Sequence, residues 1–214
     1  IGGVTGILYY FLSQGIPALP AAAITILFST LITGGFHQDG LADTFDGLVG
    51  GWTPEDRLRI LKDSRHGTYG VLSIVLQLII QISLLSTLSP KVGALAIITA
   101  HSLGRLVPIY FMMAPAVPSH EGMGATYSRA VRGRDVFAST VLTVVLLFGL
   151  IGAHLFIAAA IVAAVGFAFL VYVKKKIGGV LGDVLGASEQ IAESFILLYF
   201  VVILTNSIWL SWLI

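Results

Sequence analysis

Seven apolar runs, at about 3–14, 18–36, 70–89, 92–113, 136–153, 154–173 and 194–214, restrict this chain more than any other feature. A helix needs about 20 apolar residues to cross a bilayer core, and most of these runs reach or approach that length. No strand-type alternation interrupts them, so the spacing predicts helices throughout. Of 214 residues, 57% are hydrophobic and 11% charged, where a soluble domain carries about 25% charged residues. The fold class is therefore all-α: a polytopic integral membrane helical bundle of about seven transmembrane helices, in a single domain over 1–214. The first run is short and opens at Ile1, so the expectation is that an N-terminal segment of the full protein is missing. The chain has no cysteine, which excludes disulfides and thiolate chemistry. No stretch is basic with interleaved aromatics, so nucleic acid is not an expected partner. Membrane lipids are.

With seven alternating spans, loops 35–66, 114–135 and 174–193 share one side. They hold ten of the twelve basic residues, leaving Lys91 opposite and Arg105 inside a helix. The positive-inside rule makes that side cytoplasmic, hence an integral inner-membrane protein with cytoplasmic loops. All eleven acidic residues fall in or beside the same loops. A transporter places ionisable groups near the midplane, so this asymmetry points to an enzyme working at the cytoplasmic face. Asp183, Glu189 and Glu193 are read here as loop residues.

The first loop opens with Gly34-Gly35-Phe36-His37-Gln38-Asp39-Gly40-Leu41-Ala42-Asp43-Thr44-Phe45-Asp46-Gly47. Asp39, Asp43 and Asp46 stand at i, i+4 and i+7, within about 60° of one another on a helix. Three like charges on one face repel unless a cation sits among them. Hard oxygen donors without cysteine suit Mg²⁺ or Mn²⁺ rather than zinc. His37 is a candidate base or metal ligand, or a polar cap at the helix end. Thr53-Pro54-Glu55-Asp56 starts a short helix over 54–63 that lies along the membrane surface. It leads into Lys62-Asp63-Ser64-Arg65-His66-Gly67-Thr68-Tyr69-Gly70. There Asp63 is a candidate fourth ligand or general base, and Lys62 and Arg65 are candidate phosphate binders.

In the second loop Gly122 and Gly124 permit close backbone approach to a ligand, and Arg129 supplies a cation. In the third, Gly178 to Ala187 is glycine-dense. It suits wrapping a phosphate or a bulky planar ligand, or close helix packing through small residues. Arg105 is a functional candidate or the partner of a loop acid; His101 and His154 read as ordinary polar positions.

Together these blocks resemble the cobalamin synthase family, also called adenosylcobinamide-GDP ribazoletransferase. The resemblance rests on Gly34–Gly47, Lys62–Gly70, Glu121-Gly122-Met123-Gly124-Ala125 and Gly182-Asp183-Val184-Leu185-Gly186-Ala187, in that order. It covers the chain from about residue 20 onward. Two positions depart from the family pattern: Leu181 stands where Thr is expected and Gln190 where Glu is expected. The resemblance implies a membrane-bound, Mg²⁺-dependent transfer of adenosylcobinamide phosphate from adenosylcobinamide-GDP to α-ribazole or its 5′-phosphate. A ribose hydroxyl attacks the cobinamide-side phosphorus and GMP leaves. It carries His66, Glu121, Gly182 and Asp183 into the substrate-binding set, and assigns the metal to Asp39, Asp43 and Asp46 with Asp63. A homo-oligomer is possible.

Two rivals differ in testable ways. A CDP-alcohol phosphotransferase shares spaced aspartates at a helix end, but its Ala-Arg three residues after the glycine is replaced here by Gly50-Gly51-Trp52. A cation transporter predicts carboxylates in the middle of spans, and the hydropathy pattern places none there.

Overall fold

A computed structural model describes residues 1–63, 65, 67–117 and 130–205. Nine helices follow one another among them: α1 Gly2–Gly15, α2 Ala18–Ile32, α3 Phe36–Gly50, α4 Pro54–Ile60, α5 Thr68–Ser86, α6 Pro90–Phe111, α7 Gly133–Ile151, α8 His154–Ile177 and α9 Gly182–Thr205.

The breaks follow from local chemistry. Ile16 is extended ahead of Pro17, which ends α1. Gly34 and Gly35 adopt φ of +65° and +70°, a region open mainly to glycine, and the chain bends 90° between α2 and α3. The Thr53 hydroxyl accepts the Asp56 amide at 3.1 Å, capping α4 as its sequence predicts. Gly152 turns the chain between α7 and α8, and Gly178, at φ +81°, closes α8.

The span count differs from the hydropathy reading. Five helices are long and apolar enough to cross a membrane among the described residues, or up to six if the bent α2–α3 pair is one span. Helix α1 has 14 residues, about 21 Å at 1.5 Å per residue, against a hydrocarbon core of about 30 Å. The last span begins at Gly182 rather than near 194. Its charged residues lower the hydropathy but are buried against other helices, so a hydropathy window misses its first half.

Helix α9 is central. Two-thirds of its span (67%) is buried, against 11% for α7, and it packs chiefly on α6 and α3. Behind α6, the buried Tyr9 hydroxyl lies 2.8 Å from the carbonyls of both Leu85 and Leu88, tying α1 to the α5–α6 turn. Ala116 and Val180 pair across an isolated parallel bridge that joins the exit of α6 to the α8–α9 turn.

Candidate active site

The aspartate stripe of α3 runs from water into the protein. Asp39 is exposed, Asp43 half-buried and Asp46 buried. Asp46 is turned toward the start of α5. Its oxygens accept the amides of Gly67 at 2.6 Å and Gly70 at 2.8 Å, donors that a helix start leaves without intrahelical partners. A Cβ at either glycine would strike the Asp46 carboxylate. Asp46 thus has a structural task as well: both its oxygens are engaged in joining the first two motif blocks.

A further carboxylate near this stripe, Asp183, comes from α9. It lies in the electrostatic field of Asp39 and Asp43. A Cβ on Gly40, between the two aspartates in sequence, would come within 2.7 Å of the Asp183 carbonyl oxygen. Gly186 meets the His37 backbone at 3.2 Å in the same way. Gly186 of the fourth block and Gly40 of the first therefore serve close helix packing, and that packing brings Asp183 onto α3.

Asp63 is paired locally. It accepts from the Arg65 side chain at 2.7 and 3.0 Å and from the Arg65 amide at 3.1 Å. These bonds lower its carboxyl from 3.8 to about 2 and raise the Arg65 guanidinium above its usual value. A carboxyl held that low is a weak general base near neutral pH. The charges acting on it are those of Arg65 and Arg59. Lys62 is exposed. His66, Glu121, Gly122, Gly124 and Arg129 lie outside the described residues.

Behind α3 lies a buried network that hydropathy concealed. His37 Nδ1 stands 2.6 Å from Glu189 Oε2. Arg105 Nη1 lies 3.3 Å from Glu189 Oε1 and 3.8 Å from Glu193 Oε1. His101 Nδ1 sits between Glu193 Oε1 (2.5 Å) and Arg105 Nη1 (2.9 Å), and its Nε2 is 3.2 Å from Ser29 Oγ. The Gln190 amide donates to Glu193 at 3.3 Å, which gives a physical use for the glutamine that replaces the expected glutamate. Leu181 is simply buried. Glu189 and Glu193 lie seven and eleven residues past Gly182, about 10 and 16 Å into the helix. The expectation that no carboxylate lies inside a span is therefore wrong. One signal was available: Glu189/Glu193 and His101/Arg105 are both i,i+4 pairs, of complementary charge.

His101, Glu189 and Glu193 could hold a metal ion, the one such group of three found among the described residues. In this structure Arg105 Nη1 already stands within 3.8 Å of all three. The guanidinium takes the place of a cation there. The aspartates at the α3–α9 crossing are the hard-oxygen alternative.

These features define an all-helical, polytopic membrane protein with aspartates on both helices of the α3–α9 crossing, backed by buried charge. The chain matches the family described as Cobalamin-5-phosphate synthase over residues 1–201. Proteins of Shewanella baltica and Shewanella oneidensis named adenosylcobinamide-GDP ribazoletransferase are each 36% identical, covering 97% of this chain and 80% of the relative. One from Shewanella piezotolerans is 34% identical over 98% of this chain and 82% of its own length. The chain belongs to the cobalamin-5-phosphate synthase family. No solved structure matches it. The CDP-alcohol phosphotransferase reading gains no support from these comparisons.

Proposed function

We propose that this protein transfers adenosylcobinamide phosphate from adenosylcobinamide-GDP to α-ribazole or its 5′-phosphate, releasing GMP. Family membership supports the reaction, and the close packing of Gly40 on Asp183, which brings that carboxylate into the field of Asp39 and Asp43, supports the site. These three carboxylates come from two motif blocks and suit Mg²⁺ in donor type. Bound there, Mg²⁺ would neutralise charge on the diphosphate and the departing GMP. Asp46 keeps α5 against α3 and so holds the second block beside the first. Arg65, steadied by Asp63, and Lys62 face phosphate in this reading, with His66 and Arg129 as further cations. His37, its Nδ1 turned to Glu189, offers Nε2 to the attacking ribose hydroxyl. Glu121, Gly122, Gly124 and Gly182 border the acceptor and the corrinoid.

The basic loops would face the cytoplasm across the inner membrane. Lipid would cover α7 and α8, whose exposed side chains include Leu142, Val145, Phe156 and Phe167. The test is GMP release by purified protein in nanodiscs given adenosylcobinamide-GDP and Mg²⁺. Release should require α-ribazole or its phosphate, and should vanish in Asp43→Asn while insertion is unchanged. CMP release from a CDP-alcohol, with no ribazole-dependent GMP, would overturn the reading.

A further inference from the structure

Arg57 is a buried guanidinium, 9% exposed. Arg59, Arg65, Arg105 and Arg134 each stand against a carboxylate; among the described residues Arg57 has none. Its Nε is buried without a hydrogen-bond partner. Its Nη1 donates to the Lys176 carbonyl at 3.4 Å. That carbonyl belongs to the last turn of α8, where backbone oxygens are unsatisfied and the helix end carries partial negative charge. The contact anchors α4 against the basic end of α8, across 119 residues of sequence.

The surroundings are cationic and interfacial. Helix α8 is an apolar span of mean hydropathy 2.6, and it ends in Lys174-Lys175-Lys176. Lys174 and Lys175 are exposed, while the Lys176 ammonium lies 5.5 Å from the centre of the Tyr172 ring. Trp52, just before α4, is 91% exposed, and tryptophan favours the headgroup level of a bilayer. Over α4 and this last turn, five cations face only two carboxylates, Glu55 and Asp56. Asp56 is shared with Arg59 at 3.5 Å.

We infer that the junction of α4 with the end of α8 is a binding site for the phosphodiester of an anionic phospholipid. Arg57 forms its floor, and Lys174 and Lys175 its exposed rim. Guanidinium is the side chain suited to phosphate, and basic clusters at the end of a span attract anionic headgroups. A lipid is the favoured occupant because the cluster continues a membrane span and Trp52 lies beside it. Nothing in the catalytic proposal depends on these residues.

The experiment is native mass spectrometry of the purified protein in mixed phosphatidylglycerol and phosphatidylcholine. The wild type should retain phosphatidylglycerol preferentially. Lys174→Gln with Lys175→Gln should reduce that preference by about fivefold per cation removed, while ribazole-dependent GMP release in neutral lipid is unchanged. Arg57→Gln should reduce it further and Arg57→Lys only in part. Equal retention of the two lipids by the wild type would overturn the proposal, as would an unchanged preference in the double lysine variant. Displacement of phosphatidylglycerol by inorganic phosphate or GMP at equal concentration would also overturn it, in favour of a soluble-phosphate site.

Discussion

Asp46 accepts the amide of Gly70, 24 residues on, at 2.8 Å, and this bond ties together two motif blocks. With the companion bond from Gly67 it satisfies the start of α5, using a carboxylate buried to 6% exposure. An aspartate that reads in sequence as a third metal ligand is also a latch between helices.

A methyl group at Gly70 has no room beside that latch. Gly70→Ala should lower stability by about 1–3 kcal/mol, the usual cost of overpacking a closed site. Thermal unfolding in detergent measures it. An unchanged midpoint would mean that α5 starts elsewhere in solution.

The buried network predicts strong coupling. Glu189 is fully buried, and Arg105 and His37 both turn to it. Glu189→Ala strands those groups, and breaking a buried pair costs about 3–5 kcal/mol. The double variant Glu189→Leu with Arg105→Met removes both charges and should cost less than the sum of its two single changes. Unfolding midpoints of the four proteins give the coupling directly, and simple additivity would show that the pair does not act as one.

Asp63 gives a pH prediction. Its carboxyl is lowered from 3.8 to about 2 by Arg65. A lowered carboxyl favours the folded loop fully above its ordinary value, and that contribution is lost as pH falls toward the lowered one. The Asp63–Arg65 pairing should therefore persist from neutral pH to about 4 and open between there and about 2. The acid limb of the activity profile, if it falls between pH 5 and 7, should be identical in Asp63→Asn and wild type. A shifted limb would identify Asp63 as the titrating group.

Much of the fold was legible because lipid-facing residues must be apolar whatever their function. Helices α5, α6, α7 and α8 follow that rule and were found from hydropathy. Helix α9 breaks it: Glu189, Gln190 and Glu193 are buried by other helices and not by lipid, so a hydropathy window reads its first half as a loop. The site was legible in part for a related reason. Periodicity placed Asp39, Asp43 and Asp46 on one helical face, but it could not name the helices, α5 and α9, that pack beside that face. Only tertiary packing through Gly40 and Gly186 brings Asp183 of α9 close to α3.

The measurement that tests this arrangement most directly is Mn²⁺ binding followed by electron paramagnetic resonance, with Mn²⁺ standing in for Mg²⁺. Wild-type protein should bind Mn²⁺, and Asp183→Asn should lose that binding as fully as Asp43→Asn does. Arg105→Lys, with its buried cation kept, should still bind. Retention of Mn²⁺ by Asp183→Asn, at wild-type stoichiometry and affinity, would contradict the account and return the metal to α3 alone.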